Sequence, residues 1–151
     1  MSRLGPLAPA AAVAVAIAAG CGDPVRPAAD AAGRYELRSV YGSPLPAGLG
    51  GGRTITFFVM SATLELRTDG TFTRTAAVSA SSPTTETFSA PDTRLTPGRW
   101  TMSGAVVTTQ DSVVGSPQIS PRVRYVLNQG HTLTSQPGDD TDPRPYVYEK
   151  L

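Results

Sequence analysis

Side chains that can catalyse a reaction or bind a metal are scarce in this 151-residue chain. It contains a single cysteine, Cys21, and a single histidine, His131. Zinc and other transition-metal sites need several cysteine or histidine ligands close together. These two residues are widely separated in sequence, so we predict no metal centre and no cofactor site.

Nucleophilic catalysis is the chemistry that His131 is best suited to support. Asp139, Asp140 and Asp142 follow it, so a serine–histidine–aspartate arrangement is formally available. The chain has no Gly-x-Ser-x-Gly motif, however, and His131 directly follows Gly130 in a candidate hairpin turn. We therefore predict an exposed histidine at a turn and a protein that is not an enzyme. An envelope hydrolase is the least favoured alternative.

Two other patterns lack the features of a binding site. The acidic run at 139–142 lacks the spaced ligands and distal glutamate of a calcium loop, so we interpret it as a solvated loop. The glycine-rich stretch at 48–52 carries no lysine and begins no predicted helix, so a phosphate-binding loop is not expected there. We predict that this stretch is a flexible surface loop.

The charge distribution argues against a nucleic-acid partner. The chain has 13 basic and 12 acidic side chains, and no stretch concentrates lysine or arginine. Proteins that bind nucleic acid usually display a basic patch or stripe. We therefore expect no nucleic-acid binding.

The N-terminus has the organisation of an export signal. Arg3 supplies the single charge of a short n-region, and residues 7–19 form an apolar, alanine-rich run before small residues. A membrane-spanning helix needs about 20 predominantly apolar residues, and this run is shorter. We predict a secretory signal that is removed.

The end of this segment, Ala18-Ala19-Gly20-Cys21, resembles the bacterial lipobox. In that motif a diacylglycerol is attached to the cysteine sulfur and the signal is cleaved before the cysteine. The family prefers leucine where this chain has Ala18. The resemblance implies that residues 1–20 are a lipoprotein signal peptide and that Cys21 is lipidated; the alternative is an ordinary signal peptide with an incidental cysteine.

A lipidated Cys21 predicts a protein held in the cell envelope, with the membrane as a partner through the lipid anchor. Two or three acyl chains anchor a protein stably, whereas one does so marginally. Residues 21–32 are the predicted lipidated tether, a flexible coil that keeps the domain close to the bilayer. Because Gly22 is not aspartate, we expect the periplasmic face of the outer membrane in a diderm cell. In other cells we expect the outer face of the cytoplasmic membrane.

Residues 33–151 alternate apolar and polar side chains over short runs. This period of two is typical of half-buried strands, and Asp69-Gly70 between two such runs predicts a hairpin. The candidate strands are 34–41, 54–60, 63–68, 71–80, 98–104, 106–110, 122–127, 131–135 and 146–151, with 85–89 either loop or weak edge strand.

About eight sequential antiparallel strands can hide their edges by closing into an up-and-down barrel or by folding into a sandwich. The long crossovers of a Greek key are absent, so we predict an all-β antiparallel barrel. A domain of this size can bury one core without disulfides.

Several segments resemble small lipocalin-like (calycin-like) bacterial lipoprotein domains. The opening segment 33–46 (GRYELRSVYGSPLP) resembles their first strand and the turn after it, and 64–72, 98–104 and 125–133 are similar to their later hairpins. The resemblance implies a lipocalin-like barrel for residues 33–151. It implies no particular activity, because a fold does not fix a function.

Five aromatic side chains are candidates to line a ligand cavity: Tyr35, Phe57, Phe72, Trp100 and Tyr125. An eight-stranded barrel is wide enough for its own side chains or for one small ligand. We predict a monomeric, non-enzymatic barrel that binds a small apolar ligand or an envelope protein. The alternative is a purely structural or interaction lipoprotein with a filled core.

Overall fold

The computed structural model of the protein describes residues 28–51, 55–82, 88–112, 122–136 and 145–151. These residues form one short helix and ten strands. In chain order the elements are α1 (Ala28–Ala31), β1 (Gly33–Val40), β2 (Ser43–Pro44), β3 (Ala47–Gly51), β4 (Thr56–Leu66), β5 (Thr71–Ser81), β6 (Asp92–Ser103), β7 (Val106–Asp111), β8 (Arg122–Asn128), β9 (Thr132–Ser135) and β10 (Tyr146–Lys150).

The sheet closes on itself through β1. From β4 to β10 each strand pairs antiparallel with the next one along the chain. Strand β1 pairs with β10 on one side and with β4 on the other, so that Tyr35 lies opposite both Lys150 and Leu64. The ring of β1 and β4–β10 is therefore a closed antiparallel barrel of eight strands, which confirms the predicted all-β barrel.

The two ends of the barrel differ. At one end, which we call the closed end, tight turns join β4 to β5, β6 to β7 and β8 to β9. Helix α1 precedes β1 and contacts β6, which lies across the ring from β1, so α1 crosses this end. At the other end, the open end, β1, β5, β7 and β9 end and β4, β6, β8 and β10 begin, and the connections between them are longer in sequence.

The inward side chains of the closed-end half form a packed core. Tyr35, Leu64, Leu66, Phe72 and Leu133 are each at most 1% exposed. They alternate along their strands with outward polar residues, as the period of two predicts. Burial of these large apolar side chains is the main source of the barrel's stability.

Three segments differ from the sequence prediction, and the first is the glycine-rich stretch at 48–52. Residues Ala47–Gly51 form β3, which pairs with the first half of β4. Strand β1 pairs only with the second half of β4, from Thr63 to Leu66. The first half of β4 therefore has a free edge, and the glycine-rich backbone pairs with it.

The second difference is that the predicted strands 54–60 and 63–68 are one strand, β4. A register shift between Val59 and Ser61 marks a β-bulge in its pairing with β5. A bulge inserts one extra residue and reverses the alternation of faces, which makes one strand look like two in sequence. Strand β6 likewise begins at Asp92, before residue 98, where the predicted strand begins.

The third difference lies in the predicted tether. Its last residues, Ala28–Ala31, form a helical turn instead of a coil. Ala31 is fully buried, and its carbonyl oxygen accepts a hydrogen bond of 2.7 Å from the Tyr35 hydroxyl. This part of the segment is thus attached to the closed end of the barrel.

Candidate functional site

Three of the five predicted cavity residues pack in the closed-end half. Tyr35, Phe72 and Trp100 are between 0% and 4% exposed. The Trp100 indole nitrogen donates a hydrogen bond of 2.8 Å to the carbonyl oxygen of Arg67, in the turn after β4. Burial raises the pKa of Tyr35 to about 12. These side chains fill this half of the barrel.

The other two predicted cavity residues have different surroundings. Phe57 lies near the start of β4, at the open end, and is 44% exposed. Tyr125 is buried in the barrel interior, where its ring meets that of Tyr148 edge-on at a centroid distance of 6.0 Å. The structure therefore brings Tyr125 to the centre of the barrel and leaves Phe57 at its rim.

The most unusual feature of the interior is an ion pair between two strands. The Nη2 atom of Arg74, on β5, lies 2.7 Å from Oδ2 of Asp111, at the end of β7. Between them, β6 carries Gly98, which is paired with both Phe72 and Asp111. Glycine places no side chain in the interior at this position, so no β6 side chain at Gly98 separates the two charged groups.

Two buried tyrosines complete an interior polar cluster, which we define as Arg74, Asp111, Tyr125, Tyr148 and Thr109. Burial raises the pKa of both tyrosine hydroxyls, so they are neutral at ordinary pH. Burial opposes the charge on Arg74, but Tyr125 and Asp111 favour it and leave the pKa of Arg74 above its usual value. The cluster therefore holds one positive and one negative charge.

The Arg74 side chain is 25% exposed although it lies on the inward face of a closed barrel, whereas Asp111 is 8% exposed. Around it, some inward residues of the open-end half are half-buried. Ala76, Thr96 and Val123 are partly accessible to solvent. Arg74 is thus an inward-facing charged group that retains some contact with solvent.

Exposed apolar side chains lie along one side of the open end. Tyr41, Ile55, Phe57 and Phe88 are between 44% and 55% exposed, and each lies where a strand begins or ends at this end of the barrel. Phe88 also packs edge-on against Phe58 at a centroid distance of 5.1 Å. An exposed apolar patch of this kind is typical of a binding entrance or of a contact surface.

The remaining predicted site residues are not part of this interior. His131 lies in the turn between β8 and β9, is exposed, and has its Nδ1 atom 2.9 Å from the carbonyl oxygen of Gln129. Cys21 and the acidic run at 139–142 lie outside the described residues. Within the described residues, no three histidine, cysteine, aspartate or glutamate side chains are grouped as metal ligands would be.

One negative finding concerns the membrane. Within the described part of the chain, no helix has the length and apolar composition needed to cross a bilayer.

The residues that the sequence analysis missed are Arg74 and Asp111. The alternation along each strand could have identified them. The period of two assigns Arg74 to the same face as Phe72 and Ala76. The same period assigns Asp111 to the face of Val107 and Thr109. A charged residue in an otherwise inward series marks an interior polar site.

We compared the chain with protein-family models, curated proteins and solved structures, and none of them matches. The fold and the interior define a closed eight-stranded antiparallel barrel with a polar cluster at the base of its open-end half. This architecture is compatible with the lipocalin-like resemblance of its strands.

Proposed function

We propose that the protein is a lipid-anchored lipoprotein of the bacterial envelope whose barrel binds a small, largely apolar molecule in its open-end half. The observation that supports binding is the accessibility of Arg74. Its side chain is 25% exposed on the inward face of a closed barrel. A barrel filled by its own side chains would cover this residue, and burying an arginine without full compensation is costly.

The lining of the open-end half supports an amphipathic molecule. Its walls carry apolar side chains, including Ala62, Ala76, Val78 and Val123, while the interior polar cluster lies at its base. Small-molecule sites in proteins are mostly apolar with a few polar groups that fix orientation. A molecule with an apolar body and one polar group fits this arrangement.

The point of attachment supports one orientation on the membrane. The tether joins the barrel through α1, which crosses the closed end. Fully extended, the segment from Cys21 to Ala28 spans at most about 25 Å. We therefore propose that the closed end faces the bilayer and that the open end, with its apolar rim, faces away from it.

Native mass spectrometry of the protein isolated from its own envelope tests this function. We expect a species heavier than the acylated polypeptide by the mass of one small molecule. Ala76→Trp should abolish this species, because it places a large side chain in the interior at a position where the wild type has a methyl group. Ala77→Trp is the matched control, because Ala77 is paired with the exposed residues Ser61 and Thr93 and faces outward. Bare acylated polypeptide in the wild type would contradict the proposal.

The apolar rim supports a second candidate function, the docking of an envelope protein at the open end. Tyr41, Ile55, Phe57 and Phe88 provide the exposed apolar surface. A photocrosslinking amino acid at Phe57 should then form an adduct with one envelope protein. The same amino acid at Thr101, an exposed position near the closed end, is the control and should form none. Equal crosslinking from both positions would count against docking at the rim.

A further inference from the structure

We propose that the molecule bound in the open-end half carries an uncharged polar group, such as a hydroxyl or an amide, and that Asp111 makes the barrel reject carboxylates. The inference rests on the proposed binding function and specifies the chemistry of the ligand. Three features of the interior support it, namely its charge balance, the hydrogen-bonding groups of the polar cluster and the position of Asp111.

The inward charged side chains that the structure describes in the open-end half balance one another. Arg74 and Asp111 form the ion pair at its base. Nearer the open end, Arg94 and Asp92 of β6 pair with the inward residues Ala76 and Val78 of β5, and their side chains lie 3.5 Å apart. Among the described residues these are the charged side chains that share the inward face of this half. A neutral interior has no excess positive charge with which to attract an anion.

Among the described residues, Lys150 is a further cation near the interior, but it lies at the closed end. It lies opposite Tyr35 in the pairing of β1 with β10, and its ammonium donates a hydrogen bond of 3.1 Å to the carbonyl oxygen of Asp30. It also lies 5.8 Å from the centre of the Tyr35 ring. Because the packed core lies between Lys150 and the open-end half, the positive charge of Lys150 does not offset the negative charge of a carboxylate bound near Arg74.

The polar cluster offers both donors and acceptors. The guanidinium of Arg74 is a donor only, the carboxylate of Asp111 is an acceptor only, and a tyrosine hydroxyl is both. A ligand hydroxyl or primary amide can accept from Arg74 and donate to Asp111 at the same time. A ligand carboxylate can accept from Arg74, but its negative charge then lies beside that of Asp111 in a poorly solvated interior. Like charges repel strongly in such surroundings.

Isothermal titration calorimetry with three chain-matched probes tests the inference. The probes are dodecanamide, dodecanol and dodecanoic acid, the last studied in its ionised form and below the concentration at which it forms micelles. We expect the wild-type protein to bind the amide and the alcohol, and to bind dodecanoate at least about tenfold more weakly than dodecanamide. Dodecanoate binding as tight as that of dodecanamide would overturn the inference while leaving the binding function intact.

A substitution of Asp111 tests the cause of the selectivity. Asp111→Asn removes the negative charge and retains the shape of the side chain, so dodecanoate should gain at least about tenfold in affinity relative to dodecanamide. Asp30→Asn is the matched control, because Asp30 is exposed on α1 at the closed end and should leave the ratio unchanged. An unchanged ratio in Asp111→Asn would overturn the inference.

Two further results keep the test decisive. If Asp111→Asn does not fold, as judged by circular dichroism, Arg74→Gln replaces it. That variant removes the positive charge and keeps a hydrogen-bond donor, so the preference for dodecanamide over dodecanoate should widen. If none of the three probes binds to the wild type, and native mass spectrometry also finds no bound molecule, the proposed function fails and the inference fails with it.

Discussion

Gly98 of β6 lies directly opposite Phe72 of β5, and the ring of Phe72 occupies the space that a Cβ atom at Gly98 would need. The carbonyl oxygen of Gln110 closes the same space from the other side. This close approach has two consequences. It packs the floor of the open-end half, and no side chain at Gly98 lies between Arg74 and Asp111.

We predict that Gly98→Ala destabilises the protein by about 3 kcal/mol, because the added methyl group displaces both an aromatic ring and a backbone carbonyl. Urea unfolding followed by tryptophan fluorescence measures the change. Gly104→Ala is the comparison. A Cβ at Gly104 meets no atom within 4 Å, but its φ of 59° strains an alanine, and the expected cost is about 1 kcal/mol. Equal costs at the two positions would contradict the packing described for Gly98.

The interior ion pair gives a prediction on stability. Arg74→Met should destabilise the protein by about 3 kcal/mol at neutral pH, because it leaves the carboxylate of Asp111, which is 8% exposed, without its cation. The double variant Arg74→Met/Asp111→Leu should recover most of this loss, because it removes both charges and replaces them with apolar groups. Urea unfolding of the wild type and of the two variants provides the measurement. A double variant no more stable than Arg74→Met would contradict the prediction.

The buried tyrosines predict a loss of stability at high pH. Burial raises the pKa of Tyr35, Tyr125 and Tyr148 in the folded protein. The unfolded value is about 10, so their contribution is fully present below about pH 10 and is lost as the pH rises towards the folded pKa. Each tyrosine can contribute a slope of up to about 1.4 kcal/mol per pH unit.

The variant Tyr148→Phe makes this dependence measurable. Urea unfolding of the wild type and of the variant at a series of pH values above neutrality gives the two slopes. We expect the free energy of unfolding to fall less steeply with pH in Tyr148→Phe, because one of the contributing groups is gone. The same slope in both proteins would mean that Tyr148 titrates alike in the folded and unfolded chains.

The lipid anchor predicts a biochemical result for Cys21. In bacteria fed labelled palmitate, the wild-type protein should carry label and fractionate with membranes. The Cys21→Ser variant should carry no label and should retain its signal peptide, so it should be absent from the acylated protein. The reason is that the serine hydroxyl does not replace the cysteine sulfur in lipoprotein processing. Unlabelled wild-type protein, or unchanged processing of Cys21→Ser, would reduce the account to an exported β-barrel without an anchor.

The barrel was predictable from local patterns, because the alternation of apolar and polar residues in a strand and the residue types of a turn both depend on residues that are close in sequence. Asp69 illustrates this point: its side chain accepts hydrogen bonds from the backbone N–H and the hydroxyl of Thr71, and it thus fixes the predicted hairpin. These contacts also hold the pKa of Asp69 below its usual value. Such interactions span only two residues, so sequence alone reveals them.

The candidate site was not predictable in the same way. Alternation assigns Arg74 and Asp111 to the inward face, but their contact joins residues 37 positions apart on strands that are not neighbours in the sheet. The contact depends on the curvature of the closed barrel and on the absence of a side chain at Gly98. The pairing of β3 with β4 was missed because glycines have no side chains, so a glycine-rich segment shows no alternation of apolar and polar residues.

The crystal structure of the protein purified from its own membrane tests the central claim most directly. We predict electron density for one small molecule in the open-end half, with an uncharged polar group within hydrogen-bonding distance of the Arg74 guanidinium and its apolar part along β5 and β8. Side chains packed around Arg74 that leave no space for a molecule inside the barrel would contradict it.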